Sequence, residues 1–232
     1  MTAVVATIFT LIGIAVVAVL LNGGRRRLTR RDLPPNVIDA LRRTQPDCRV
    51  RSIKPRPDGG FDLALVKDGE PRAMRLVRHG QWTIGSSYDP VKTLPASGTF
   101  EFLKQDFNLT RDERLDLASM DARIKNAVQA HLLDKGFALT TGEVPDVMIG
   151  YYAVIGGECI SGEEGHERGS WILDIVDPAG DQVLWRGSAN ADIIVDVSQD
   201  DKQRRVDEAV KLILSQYPPG SGKQQSGRAR IT

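Results

Sequence analysis

Ser170–Val197, SWILDIVDPAGDQVLWRGSANADIIVDV, is the stretch from which the rest of the chain is read. Trp171, Leu173 and Ile175 form one row of a period-two pattern and Ile172, Asp174 and Val176 the other; after Asp177-Pro178-Ala179-Gly180 the pattern resumes as Val183-Leu184-Trp185. Alternation interrupted by such a cluster predicts a β-hairpin, because Pro178 holds φ in the turn range and Gly180 tolerates positive φ.

Toward the C-terminus, Val206, Ala209, Val210, Ile213, Leu214 and Tyr217 recur three or four apart and predict an amphipathic helix that Pro218-Pro219 stop. Residues 220–232 (GSGKQQSGRARIT) are nearly devoid of apolar side chains and are expected to be a disordered tail.

Toward the N-terminus lies Gly156–Gly169, GGECISGEEGHERG, where potential ligands crowd: Glu158, Cys159, Glu163, Glu164, His166 and Glu167. Glu158, Glu163 and His166, with Cys159, are the candidate metal ligands of a hydrolase. Polar side chains spaced by glycines also describe a solvated loop, so no metal or other cofactor is assigned. Asp146–Ile155 is β-branched and aromatic and reads as a strand; Phe137–Thr141 reads as an edge strand. Met120, Ile124, Ala127, Val128, His131 and Leu132 paint one stripe of a helix between Ala118 and Lys135, capped by Gly136, with His131 at the edge of the core. Asp106–Asp116 is polar and expected as a loop; Thr99–Leu103 is a short strand.

Asp89–Gly98, DPVKTLPASG, reads as a linker between two modules. Before it, Pro34-Pro35 start a short helix with Val37, Ile38 and Leu41 inward. The runs Cys48–Ile53, Phe61–Val66, Ala73–Val77 and Trp82–Ile84 follow, separated by Gly-bearing turns, giving an antiparallel meander. Val37, Ala40, Leu41, Pro46, Val50, Gly60-Phe61, Gly69, Gly80 and Trp82 give residues 33–88 a resemblance to the PepSY-like modules of bacterial envelope proteins, which implies a protein-binding rather than catalytic role.

Thr2–Leu21 carries no charge, and its 20 residues would span roughly 30 Å as a helix, so residues 1–24 are expected to be a single-pass transmembrane anchor. A signal peptide would want basic residues ahead of the apolar run, and none is present. Arg25, Arg26, Arg27, Arg30 and Arg31 follow directly and by the positive-inside rule place what comes next in the cytoplasm.

Lys+Arg 31 against Asp+Glu 30 leaves no net field to draw in nucleic acid, and the arginine cluster has no interleaved aromatics. Cys48 and Cys159 are too few and too far apart for a disulfide framework or metal cluster. His79, His131 and His166 each lack the second group that a nucleophile-based mechanism needs, so no catalytic residue is assigned.

Four segments in order, Arg123–Gly136, Pro145–Tyr152 (PDVMIGYY), Leu173–Ser188 (LDIVDPAGDQVLWRGS) and Arg205–Pro219, make residues 99–219 resemble the bacterial envelope family known as domain of unknown function 4136. The resemblance implies an α+β domain with two helices packed on one face of an antiparallel sheet, an exported and periplasmic setting, and no established activity. Members are lipid-anchored, and the absence of a lipid-bearing cysteine here makes the apolar run its replacement. The arginines and the family thus point to opposite sides of the inner membrane.

The expected architecture is therefore α+β in two modules: anchor, residues 33–88 as helix plus meander, linker 89–98, domain 99–219 and tail 220–232. The expected function is a membrane-tethered, non-catalytic envelope protein that binds a protein partner in assembly or maintenance. The alternatives are the metal-assisted hydrolase and a module holding lipid or another ligand between helices and sheet.

Overall fold

The computed structural model describes residues 28–103, 117–155, 168–179, 182–192 and 198–219. The hairpin forms where the alternation breaks: β8 (Arg168–Asp177) pairs antiparallel with β9 (Gln182–Asp192) from Arg168↔Asp192 to Asp177↔Gln182. Asp177 Oδ1 accepts a hydrogen bond from Ala179 N at 2.9 Å, so this side chain helps build the turn.

Strands β1 (Arg49–Pro55), β2 (Phe61–Lys67), β3 (Glu70–His79) and β4 (Trp82–Tyr88) form the expected meander. It does not end there. β4 pairs antiparallel with β9, from Thr83↔Asn190 to Tyr88↔Trp185, so the meander and the later strands are one sheet. With β5 (Gly98–Phe102), β6 (Phe137–Leu139) and β7 (Val147–Ile155) the described residues give nine strands in the order β1-β2-β3-β4-β9-β8-β7-β5-β6.

This corrects the expected fold class of two α+β modules with antiparallel sheets. The two stretches share a sheet, and that sheet is mixed, because β5 runs parallel to both β6 and β7. The parallel pairing of β5 with β6 fits the connectivity, since the connection between them contains helix α2 (Leu117–Asp134), a crossover that lets the chain return in the same direction. The anchor was the other part of that expectation. Residues 1–24 lie outside the described residues, and no helix among the described residues is long and apolar enough to cross a membrane.

The helices divide between the two faces. Leu76 stands opposite Gly85, one residue out of phase with Ile84, so their side chains lie on opposite faces. On Leu76's face, α1 (Pro35–Thr44) buries Val37, Ala40 and Leu41 against Phe61, Leu63, Leu65, Met74 and Leu76. On Ile84's face, α2 and α3 (Gln199–Leu214) pack Ile124, Val128, Leu132, Val206, Val210 and Ile213 over Ile149, Leu173, Ile175 and Trp185. Each such large apolar side chain, fully buried, contributes about 1.5–3 kcal/mol before entropy is charged. β4 is buried along Trp82–Ser87 because it is covered from both sides.

Two local devices hold α3 in place. Ser198 Oγ accepts from Asp201 N at 3.1 Å, capping its N-terminus, with Asp200 and Asp201 in the favourable first turn. On the sheet below, a Cβ at Gly187 would lie 2.3 Å from Trp185 Cη2 and 2.4 Å from Ile213 Cγ2, so glycine is what lets the helix approach β9. The stretch between β4 and β5 is held to the fold at two points, where Leu94 packs on the core and Tyr217 Oη donates to Pro95 O.

Candidate functional site

Beneath α1 the sheet carries a polar seam. Arg186 Nε and Nη2 donate to Asp174 Oδ1 and Oδ2, both at 2.7 Å, a bidentate pair between neighbouring strands. Nη1 reaches Thr44 O at 3.4 Å at the end of α1, and the guanidinium carbon lies 5.7 Å from the centre of the Tyr152 ring. The side chains are 23% and 9% exposed. Burial opposes the arginine's charge, yet hydrogen bonding to Asp174 and that carboxylate's charge hold it above the usual arginine range. Burial, and after it Asp174, pushes the Tyr152 hydroxyl up.

The seam continues through amides and hydroxyls. Asn190 Nδ2 donates to Thr83 O at 2.9 Å, Ser170 Oγ to Asn190 Oδ1 at 2.5 Å, and Asn36 Nδ2 to Thr83 Oγ1 at 3.0 Å. At its other end Gln45 Nε2 donates to Ser87 Oγ at 2.6 Å and Cys48 Sγ to Gln45 Oε1 at 3.3 Å. Burial pushes the Cys48 thiol up, so it stays protonated at neutral pH and is a poor nucleophile. These groups satisfy one another, and their combined effect is to fasten α1 to β4 and, through Thr44, to Arg186 of β9.

The opposite face offers an apolar recess. Ile124 of α2, Val206, Ala209, Val210 and Ile213 of α3, and Tyr151, Trp171 and Leu173 of the sheet surround a shallow cavity of about 10 Å³ that opens to solvent. Trp171 is half-buried at its wall. Tyr151 Oη donates to Asp121 Oδ1, and Lys125 Nζ donates to Asp121 Oδ2 at 2.9 Å. Burial first, then Asp121, pushes the Tyr151 hydroxyl far up; burial opposes ionisation of Asp121, yet the bonds from Tyr151 and Lys125 hold its carboxyl below the usual range.

The expected metal ligands Glu158, Glu163 and His166, with Cys159, lie outside the described residues, as do Arg25, Arg26 and Arg27. Arg30 and Arg31 sit in a one-turn 3-10 helix, Arg30–Asp32, capped reciprocally by Thr29 and Asp32. Among the described residues no three His, Cys, Asp or Glu side chains are grouped to hold a metal. His131 lies part-exposed on α2, and His79 is exposed at the end of β3.

The Arg186–Asp174 pair was not read from the sequence, and the reason is a register irregularity. Counting back from Asp177↔Gln182 puts Asp174 opposite Trp185; the shift between Ile175 and Val176 moves it to Arg186. Opposite charges flanking the turn were the available signal.

No curated protein matches the chain. Among solved structures, a PDZ domain protein from Parabacteroides distasonis is similar at 17% identity and a TM-score of 0.39, covering 52% of this chain; the chain spans 32% of that one. The PelC dodecamer protein from Paraburkholderia phytofirmans is similar at 10% identity and a TM-score of 0.34, covering 58% of this chain and 95% of that one. Likenesses of this degree carry no argument about this chain. The family match reaches none of the residues behind the PepSY-like resemblance, which no comparison shows; it begins at residue 84, inside β4, and takes in the recess, Arg186 and Asp174. By that match, over residues 84–219, the chain belongs to the family described as Domain of unknown function (DUF4136).

Proposed function

We propose that this is a membrane-tethered, non-catalytic protein of the bacterial cell envelope that binds another protein in assembly or maintenance, using the recess between α2, α3 and the sheet. The observation that carries this reading is the recess itself: a solvent-facing notch lined by aliphatic side chains and the half-buried Trp171. With a cavity volume of about 10 Å³, room for about one water, it is a shallow apolar notch that suits contact with a partner's surface and is far below the roughly 300–1,000 Å³ of small-molecule pockets. That size disfavours the lipid- or ligand-holding alternative. Tethering to the inner membrane is supported by the uncharged run at residues 2–21 and the arginines that follow it.

A photo-reactive residue in place of Trp171, activated in intact membranes, tests the reading. A discrete protein adduct from position 171, absent when the probe replaces the exposed Thr141, is expected. Repeated failure to capture any protein from position 171 would overturn the binding role.

A further inference from the structure

Charge is divided unevenly along the chain, although the total nearly cancels. Residues 1–80 hold 15 Lys+Arg against 7 Asp+Glu, whereas residues 81–219 hold 13 against 23. In the folded part of the basic half four of the seven acids are engaged, and the exposed Asp47, Asp68 and Glu70 lie in the turns that flank β1 and β2 or at the start of β3. Asp58 and Asp62 pair with Arg56 and Arg75, Asp32 caps its own turn, and Asp39 is buried. Arg49, Arg51 and Lys54 remain exposed along β1, which forms one edge of the sheet, and Arg42 is exposed on α1, joined to β1 by residues 45–48. None of these four makes an ion pair with another described residue, and β1 carries no acid.

We propose that this cationic edge, Arg49, Arg51 and Lys54 with Arg42, docks on anionic lipid headgroups and turns the acidic family domain away from the bilayer. The proposal rests on the membrane tether of the preceding reading. Two arguments select this occupant. The charge is complementary to a negatively charged leaflet, which attracts basic surfaces within about a Debye length, 8–10 Å at physiological salt. The reach is short as well: eight residues, 22–29, separate the apolar run from the turn at Arg30, at most about 28 Å even if fully extended. Positive charge on an edge strand also discourages pairing with other chains, but that role is indifferent to lipid composition.

The test uses the full chain reconstituted in phosphatidylcholine vesicles with and without phosphatidylglycerol, carrying a photo-reactive residue in place of the exposed Ser52 on β1. Flotation with the vesicles in about 1 M salt, where the Debye length is about 3 Å, reads the tether separately. Lipid adducts at position 52 are expected to rise about tenfold with phosphatidylglycerol and to fall back in high salt. They should also fall back in the Arg49→Gln, Arg51→Gln, Lys54→Gln variant, while Arg49→Lys, Arg51→Lys retains them. A probe at Thr141 should capture no more lipid on anionic vesicles than on neutral ones. A chain that floats in high salt yet gives equal adducts on neutral and anionic vesicles overturns the docking surface alone. A chain that fails to float overturns the tether and this inference with it. Capture of protein instead of lipid at position 52 in native membranes also overturns it.

Discussion

Arg186 meets Asp174 across the β8–β9 ladder because the register shift leaves Leu184 without a partner on β8. Both bonds of the pair measure 2.7 Å, and a third nitrogen of the same guanidinium reaches the carbonyl of Thr44 at 3.4 Å. One side chain thus joins the two strands to each other and to α1.

Removing one member strands the other in a largely dry site. Arg186→Ala is expected to cost about 3 kcal/mol in denaturant unfolding, and Asp174→Ala a similar amount. The double variant Asp174→Leu, Arg186→Met should recover at least half of that loss, since neither desolvated charge remains. A double variant no more stable than the singles would show that the pair acts through something other than charge burial.

Continuity of the sheet through β4 and β9 predicts one unfolding unit. Hydrogen exchange should give the amides of Leu65 and Leu76 the same opening free energy as those of Leu173 and Ala189. Markedly earlier opening of β1–β3 would mean that the β4–β9 ladder and the α1 contacts do not couple the halves.

Gly187→Ala places a methyl group where Trp185 and Ile213 already are. A loss of about 2 kcal/mol is expected, from displacement of α3 or of the indole, with a lowered thermal midpoint and altered near-ultraviolet dichroism of the tryptophans. A variant with unchanged midpoint would place the helix farther from β9 than described.

Two groups at the recess set opposite pH limits. The folded pKa of Tyr151 is raised above the ordinary value of 10.0, so its contribution is complete below pH 10 and is lost as pH rises above it. The folded pKa of Asp121 is lowered below 3.8, so its contribution is present above that value and is lost as pH falls through the folded pKa. Tyr151→Phe should flatten the alkaline fall in stability, measured by urea unfolding at stepped pH, and weaken the acid-side contribution of Asp121. An alkaline limb identical in the wild-type and Tyr151→Phe proteins would assign the effect elsewhere.

The amino-acid pattern alone determined the local elements. Period-two alternation around Asp177-Pro178 is a hairpin wherever it is placed, and the spacing of Val206, Val210 and Ile213 buries one side of a helix whatever lies beneath it. It also carried the family, because the four segments keep their order. Tertiary structure alone decided that β4 pairs with β9, about a hundred residues away, since backbone hydrogen bonds between strands leave no mark in composition and either edge of a meander could have stayed open. It likewise decided which face each helix covers and which charge meets Arg186, because a slip of one residue exchanges the faces of a strand without changing its sequence.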